Sequence, residues 1–287
     1  MDLPWNPYAE FGFMQRALLG CLLLSVSAPL VGVFLLLRRM SLTGDAMAHA
    51  ILPGAALGYL VSGLSLGAMT VGGLVAGLAV VLLSGLVARS TVLREDASLA
   101  AFYLLSLAAG VLIISSQGRN VDLLRVLFGS VLALDDPTLA LLGLVAILTA
   151  AGLWLLQRPL VLECVDPAYL RSVSRLSPLA HYGFLVLLVL NLVAGFHALG
   201  TLLSVGMMIL PAAAARLWVR RLPTLLMLAG ALCAVGSSAG LALSYHHELP
   251  TGPAIVLSLG MIYIVSVLLA PRGLRSASRP PARHLRA

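Results

Sequence analysis

The feature that most constrains this chain is a near-unbroken series of apolar runs, each about 20 residues long, which is the length an α-helix needs to cross a bilayer. They lie near residues 12–37, 46–64, 66–88, 98–116, 137–157, 179–197, 199–218, 224–245 and 252–270. In hydrocarbon only helices and closed barrels satisfy their own backbone, and runs of this length predict helices. The expected fold is therefore all-α, a polytopic membrane protein with about nine spans. Composition agrees: 60% of the 287 residues are hydrophobic and 10% are charged. That balance excludes a soluble enzyme, a nucleic-acid-binding module and a disordered chain. The first run lacks the basic flank and cleavage site of a signal peptide, so it is read as a span.

Charge placement orients the spans. All 18 basic side chains counted as Lys+Arg are arginines. With the N-terminus outside, Arg16, Arg119 and Arg125 lie outside and every other arginine lies inside, as the positive-inside rule demands. The net charge of +7 is thus a topology signal and implies no nucleic-acid partner. Residues 1–270 read as the membrane domain. Residues 271–287, rich in Arg, Ser and Pro, read as a disordered basic tail on the cytoplasmic side of the inner membrane. A chain without lysine holds no P-loop, whose Lys contacts the nucleotide phosphates. ATP-driven work would need a second chain.

Two stretches between spans remain. Residues 118–136 suit a short amphipathic helix on the outer surface. Residues 157–178 form the longest inner loop, where Asp166 can cap a short helix with Pro167 at its first position. That helix is a docking element for a soluble partner or lies on lipid.

Polar groups inside spans are candidate sites. Asp45 and His49 stand four residues apart at the start of the second span and share a helix face. Carboxylate and imidazole together bind divalent transition metals. Pro53 follows and frees backbone carbonyls, as in broken helices that line a cavity. Helix capping by Asp45 is the competing reading. Two ligands are fewer than a transition metal takes, and a homodimer with the pair on its two-fold axis would supply four. His246, His247 and Glu248, at the outer mouth, are weaker entry residues or a solvated turn. Pro211 is expected to kink the seventh span. Met207 and Met208 read as packing, and Cys21 and Cys233 as core.

The segment from Met40 to Tyr59 resembles the second-span signature of the permease subunits of ABC-type importers for zinc, manganese and iron. Gly44, Asp45, Ala46, His49, Ala50, Pro53 and Gly54 match its Gly-Asp-Ala-x-x-His-Ala-x-x-Pro-Gly pattern. Residues 126–130 resemble the family's outer-loop segment, and Asp166-Pro167 with Tyr169 its coupling helix. Gly200 to Leu217 and Leu249 to Gly252 resemble its later motifs. After Tyr169 the chain departs from the pattern, with Leu170-Arg171-Ser172-Val173-Ser174 where a small residue and then a Gly near the helix end are usual.

The resemblance implies a type II ABC importer-like fold and no enzymatic activity in this chain. It implies a homodimeric permease in the lipid bilayer, paired with cytoplasmic ATP-binding subunits and fed by an extracytoplasmic metal-binding protein. Asp45 and His49 would hold the transported metal, zinc first, then manganese, with iron also in range. Asp166, Pro167, Tyr169 and Arg171 would dock the ATPase. The rival readings are a secondary metal transporter or exporter without an ATPase, and an intramembrane enzyme.

Overall fold

The computed structural model describes residues 11–63, 65–93, 95–116, 131–165 and 176–274. Among them there are no strands. The helices are α1 (Gly12–Leu37), α2 (Ser41–Ala50), α3 (Leu52–Ser62), α4 (Leu66–Ser90) and α5 (Glu95–Ser116), followed by a 3-10 turn at Val131–Ala133. Then come α6 (Asp136–Val165), α7 (Leu176–Leu199), α8 (Thr201–Trp218), α9 (Leu222–His247) and α10 (Thr251–Leu269). Seven of these are long and apolar enough to cross a membrane. The pair α2–α3 and the shorter apolar α5 account for the other two expected runs.

Helix α1 is the hub. It has no charged residue beyond Arg16 and packs against α6, α8 and α9. Close approach is set by a missing side chain: a Cβ on Gly32 would overlap the Met208 carbonyl of α8. Small residues let membrane helices meet backbone to backbone, where dispersion replaces the hydrophobic drive that lipid cannot supply. The same device joins α3 to α4, where Gly54 and Gly72 each face the other's carbonyl.

The second span is broken, as Pro53 predicted. Pro53 sits in the first turn of α3, where its missing N–H and fixed φ are tolerated. Beside this break the Ala50 carbonyl accepts a hydrogen bond from the Ser106 hydroxyl of α5 at 2.9 Å. Pro53 itself rests on Gly110 of α5. Helix α8, in contrast, runs on through Pro211.

One expectation changes. The span expected to end at residue 157 continues as α6 through Pro159 to Val165. Its last turns stay helical because Leu160 and Glu163 are buried against neighbours. In the outer stretch 118–136, residues up to 130 lie outside the described residues, and the rest is the single 3-10 turn followed by Leu134 and Asp135. Asp135 accepts a hydrogen bond from the Thr138 backbone N–H at 3.1 Å and so caps α6. This bonding to Thr138 holds its carboxyl below the usual range. Met207, Met208, Cys21 and Cys233 are buried as core. Residues from 275 onward lie outside the described residues.

Two outcomes test these contacts. Gly32→Val should cost at least about 1–3 kcal/mol through overpacking, read as loss of monodisperse protein after detergent extraction. Ser106→Ala should cost about 0.6–1.7 kcal/mol, the range for interhelical hydrogen bonds in membranes, read by thermal unfolding in detergent.

Candidate functional site

Helix α2 starts directly after the end of α1. A tight turn reverses the chain: the Met40 N–H donates to the Leu35 carbonyl at 2.9 Å and the Arg39 N–H to Leu36 at 3.2 Å. This pair of bonds is the Schellman arrangement, with Arg39 in the left-handed conformation at φ 60°. Asp45 and His49 then lie about 6 Å and 12 Å along α2 from Ser41, at 1.5 Å per residue.

The environment of α2 explains which face is left open. Gly44, Met47, Ala48 and Ala50 are buried. Gly44 faces Leu35 of α1 with Met208 and Ile209 of α8. The opposite side carries Leu42, Asp45 and His49. Leu42 is 83% exposed, and the side chains of Asp45 and His49 are 64% and 32% exposed. In α3, Leu57 and Val61 are exposed as well. A polar pair and three large apolar side chains thus lie on surface that this chain leaves uncovered.

The Asp45 Oδ1 and His49 Nε2 atoms are 3.9 Å apart. Two donors at about 2.1 Å from one ion subtend about 3.4 Å at a tetrahedral angle, so small rotamer changes let both bind the same cation. Asp45 does not cap the helix: Met40 is the N-cap residue and the first turn has no acidic residue. The competing capping reading therefore fails. Among the described residues no group of three or more His, Cys, Asp or Glu side chains could hold a metal ion. One protomer offers one carboxylate and one imidazole.

The other predicted residues separate. His246 and His247 end α9 and Glu248 caps it in the left-handed conformation, φ 51°. The Ser244 hydroxyl donates to the Leu249 carbonyl at 2.7 Å and closes this turn. The turn belongs to the end of the bundle where Phe11 meets Tyr245 and Arg16 pairs with Asp136, away from the α1–α2 turn. Asp166, Pro167, Tyr169 and Arg171 lie outside the described residues, between α6 and α7.

One cluster escaped the sequence reading. Arg38, the C-cap residue of α1, donates through Nη2 to Glu163 Oε1 at 3.0 Å. The same nitrogen lies 2.6 Å from His181 Nδ1. A guanidinium only donates, so Nδ1 accepts and the His181 proton sits on Nε2. The Arg38 guanidinium also stacks over Phe184, 5.2 Å from its centroid. The side chains of Arg38 and Glu163 are 7% and 6% exposed. Breaking such a buried pair costs about 3–5 kcal/mol. Arg38 had served only the topology count, and His181 had shown no pattern. A charged residue at the end of a span was the available signal, but its partners lie 125 and 143 residues away.

Comparisons with known proteins identify the family of the chain. A manganese import system permease protein, ScaB of Streptococcus gordonii, is 34% identical over 264 residues, 92% of this chain and 93% of that one. The chelated iron transport system membrane protein YfeD of Yersinia pestis is 29% identical, over 92% of this chain and 87% of its own. The structure of PsaBC from Streptococcus pneumoniae in complex with Fab superposes with a TM-score of 0.82 at 30% identity, covering 93% of this chain and 95% of that chain. Residues 10–270 match the ABC 3 transport family, and the chain belongs to that family.

Proposed function

We propose that this multi-pass membrane protein is the permease subunit of an ATP-driven importer for a divalent transition metal, with manganese as the cargo. The observation that carries the reading is the Asp45–His49 pair, 3.9 Å apart on the open side of a broken span, in a chain of the ABC 3 transport family. The chain is a transport subunit and not an enzyme. Its family works with a separate ATPase and a substrate-binding protein. The relatives' names put manganese and iron ahead of the zinc that the sequence had placed first. A carboxylate with an imidazole suits manganese and iron on coordination grounds.

In this reading the open side of α2 and α3 faces a second copy of the chain. Leu42, Leu57 and Val61 seal the contact, and two Asp45–His49 pairs face one another across it. Four ligands then hold the ion weakly enough to release it, as conduction requires. The loop at residues 166–175 receives the ATPase, with Asp166, Pro167, Tyr169 and Arg171 in contact. The Arg38 end and the C-terminus lie on the cytoplasmic side of the inner membrane, as the arginine distribution supports. His246, His247 and Glu248 lie on the other side, where a metal-binding protein delivers the cation.

The first test is uptake of radioactive Mn2+ by proteoliposomes that hold the permease with its ATPase. Asp45→Ala and His49→Ala should each lower uptake by more than about tenfold. Unchanged uptake in both removes the pair from the mechanism, and uptake by the permease alone without ATP favours a secondary transporter. In the second test, Asp166→Ala or Tyr169→Ala should lower Mn2+ uptake per ATP hydrolysed while membrane insertion stays at the wild-type level. Normal coupling in both moves the docking site elsewhere.

A further inference from the structure

We propose that Arg38, Glu163 and His181 form the joint through which movement of the 166–175 loop reaches α2 and its Asp45–His49 pair. The inference rests on the reading that this loop receives the ATPase. The three are positioning residues, since none touches the cargo.

Their placement makes the case. Glu163 lies three residues before the loop and His181 six residues after it, so the cluster grips both stems. A single nitrogen, Arg38 Nη2, makes the contacts with both stems, at 3.0 Å and 2.6 Å. Glu163 Oε1 and His181 Nδ1 are themselves 3.5 Å apart. On the other side Arg38 is continuous with the Schellman turn, whose Met40–Leu35 bond starts α2 one residue later. The link from loop to α2 is therefore short and hydrogen-bonded throughout.

Burial makes the link stiff. Pulling one stem away from Arg38 leaves a charge in low dielectric without its partner, so the stems and the turn move together. The cluster also holds unused bonding capacity. Among the described residues Arg38 Nη1 and Glu163 Oε2 are buried and have no hydrogen-bond partner. Arginine and carboxylate pair most strongly as a two-pronged fork. The present one-pronged contact leaves the second prong open, and a small shift of the α6 stem would close it. Two discrete arrangements of one buried pair are what a coupling element requires.

The test uses the permease reconstituted with its ATPase, reading Mn2+ taken up per ATP hydrolysed beside assembly and ATP turnover. Glu163→Gln and His181→Phe should lower that ratio by about fivefold or more, with ATP turnover kept. The paired variant Arg38→Met/Glu163→Leu replaces the ions by apolar groups of similar volume. A structural role predicts that this pair restores assembly and transport together. The joint predicts restored assembly with the ratio still low. A wild-type ratio in the paired variant, or in His181→Phe, overturns the proposal. Loss of assembly in all three variants also overturns it and makes the cluster a folding element. Asp166→Ala and Tyr169→Ala run in parallel. If they uncouple while the cluster variants do not, only the joint fails. If neither affects coupling, the docking reading fails and the joint with it.

Discussion

Every backbone polar group inside the hydrocarbon must find a partner within the protein, and the candidate site exists because the structure meets that demand in one unusual place. The second span is interrupted at Ile51, and the Ala50 carbonyl beside the interruption accepts a hydrogen bond from the Ser106 hydroxyl. The break is then held by close packing on both sides, through Pro53 on Gly110 and Gly54 on Gly72. The interruption is one residue long, and Ile51 keeps a right-handed helical backbone with its N–H on the Met47 carbonyl. The buried side of α2 packs against α5 and α7 as well as α1 and α8, and its open side presents Asp45 and His49.

Much of this was legible because it is local. The apolar runs fall on the helices to within a few residues at most ends, since a bilayer imposes length and composition residue by residue. Asp45, His49 and Pro53 were readable for the same reason: their spacing of four and their rarity inside spans carry the chemistry. The extension of α6 to Val165 was not. Pro159 and Arg158 read as a span end, and only burial of Leu160 and pairing of Glu163 keep the helix going. The Arg38 cluster was hidden more completely, because it is made by residues from three helices that share no local pattern.

Both ends of the bundle are built from polar contacts of very different depth. Arg16 and Asp136 pair at 3.2 Å in the open, with side chains 51% and 77% exposed, where a pair contributes little. Arg38 and Glu163 pair at 3.0 Å with almost no exposure. The first tethers two helices at their rim. The second lies inside the packing, where geometry decides whether a charge is tolerated at all.

That difference has a consequence for how the chain is made. Arg38 leaves the ribosome 125 residues before Glu163, which at about 5–20 residues per second is a delay of roughly 6–25 s. A guanidinium does not shed its proton in a protein, so during that interval its charge stays near the lipid headgroups at the end of α1. Helix α1, the hub of the finished bundle, therefore cannot take its final place when it is inserted. The Arg38 end of α1 reaches its native packing only after α6 and α7 have been made.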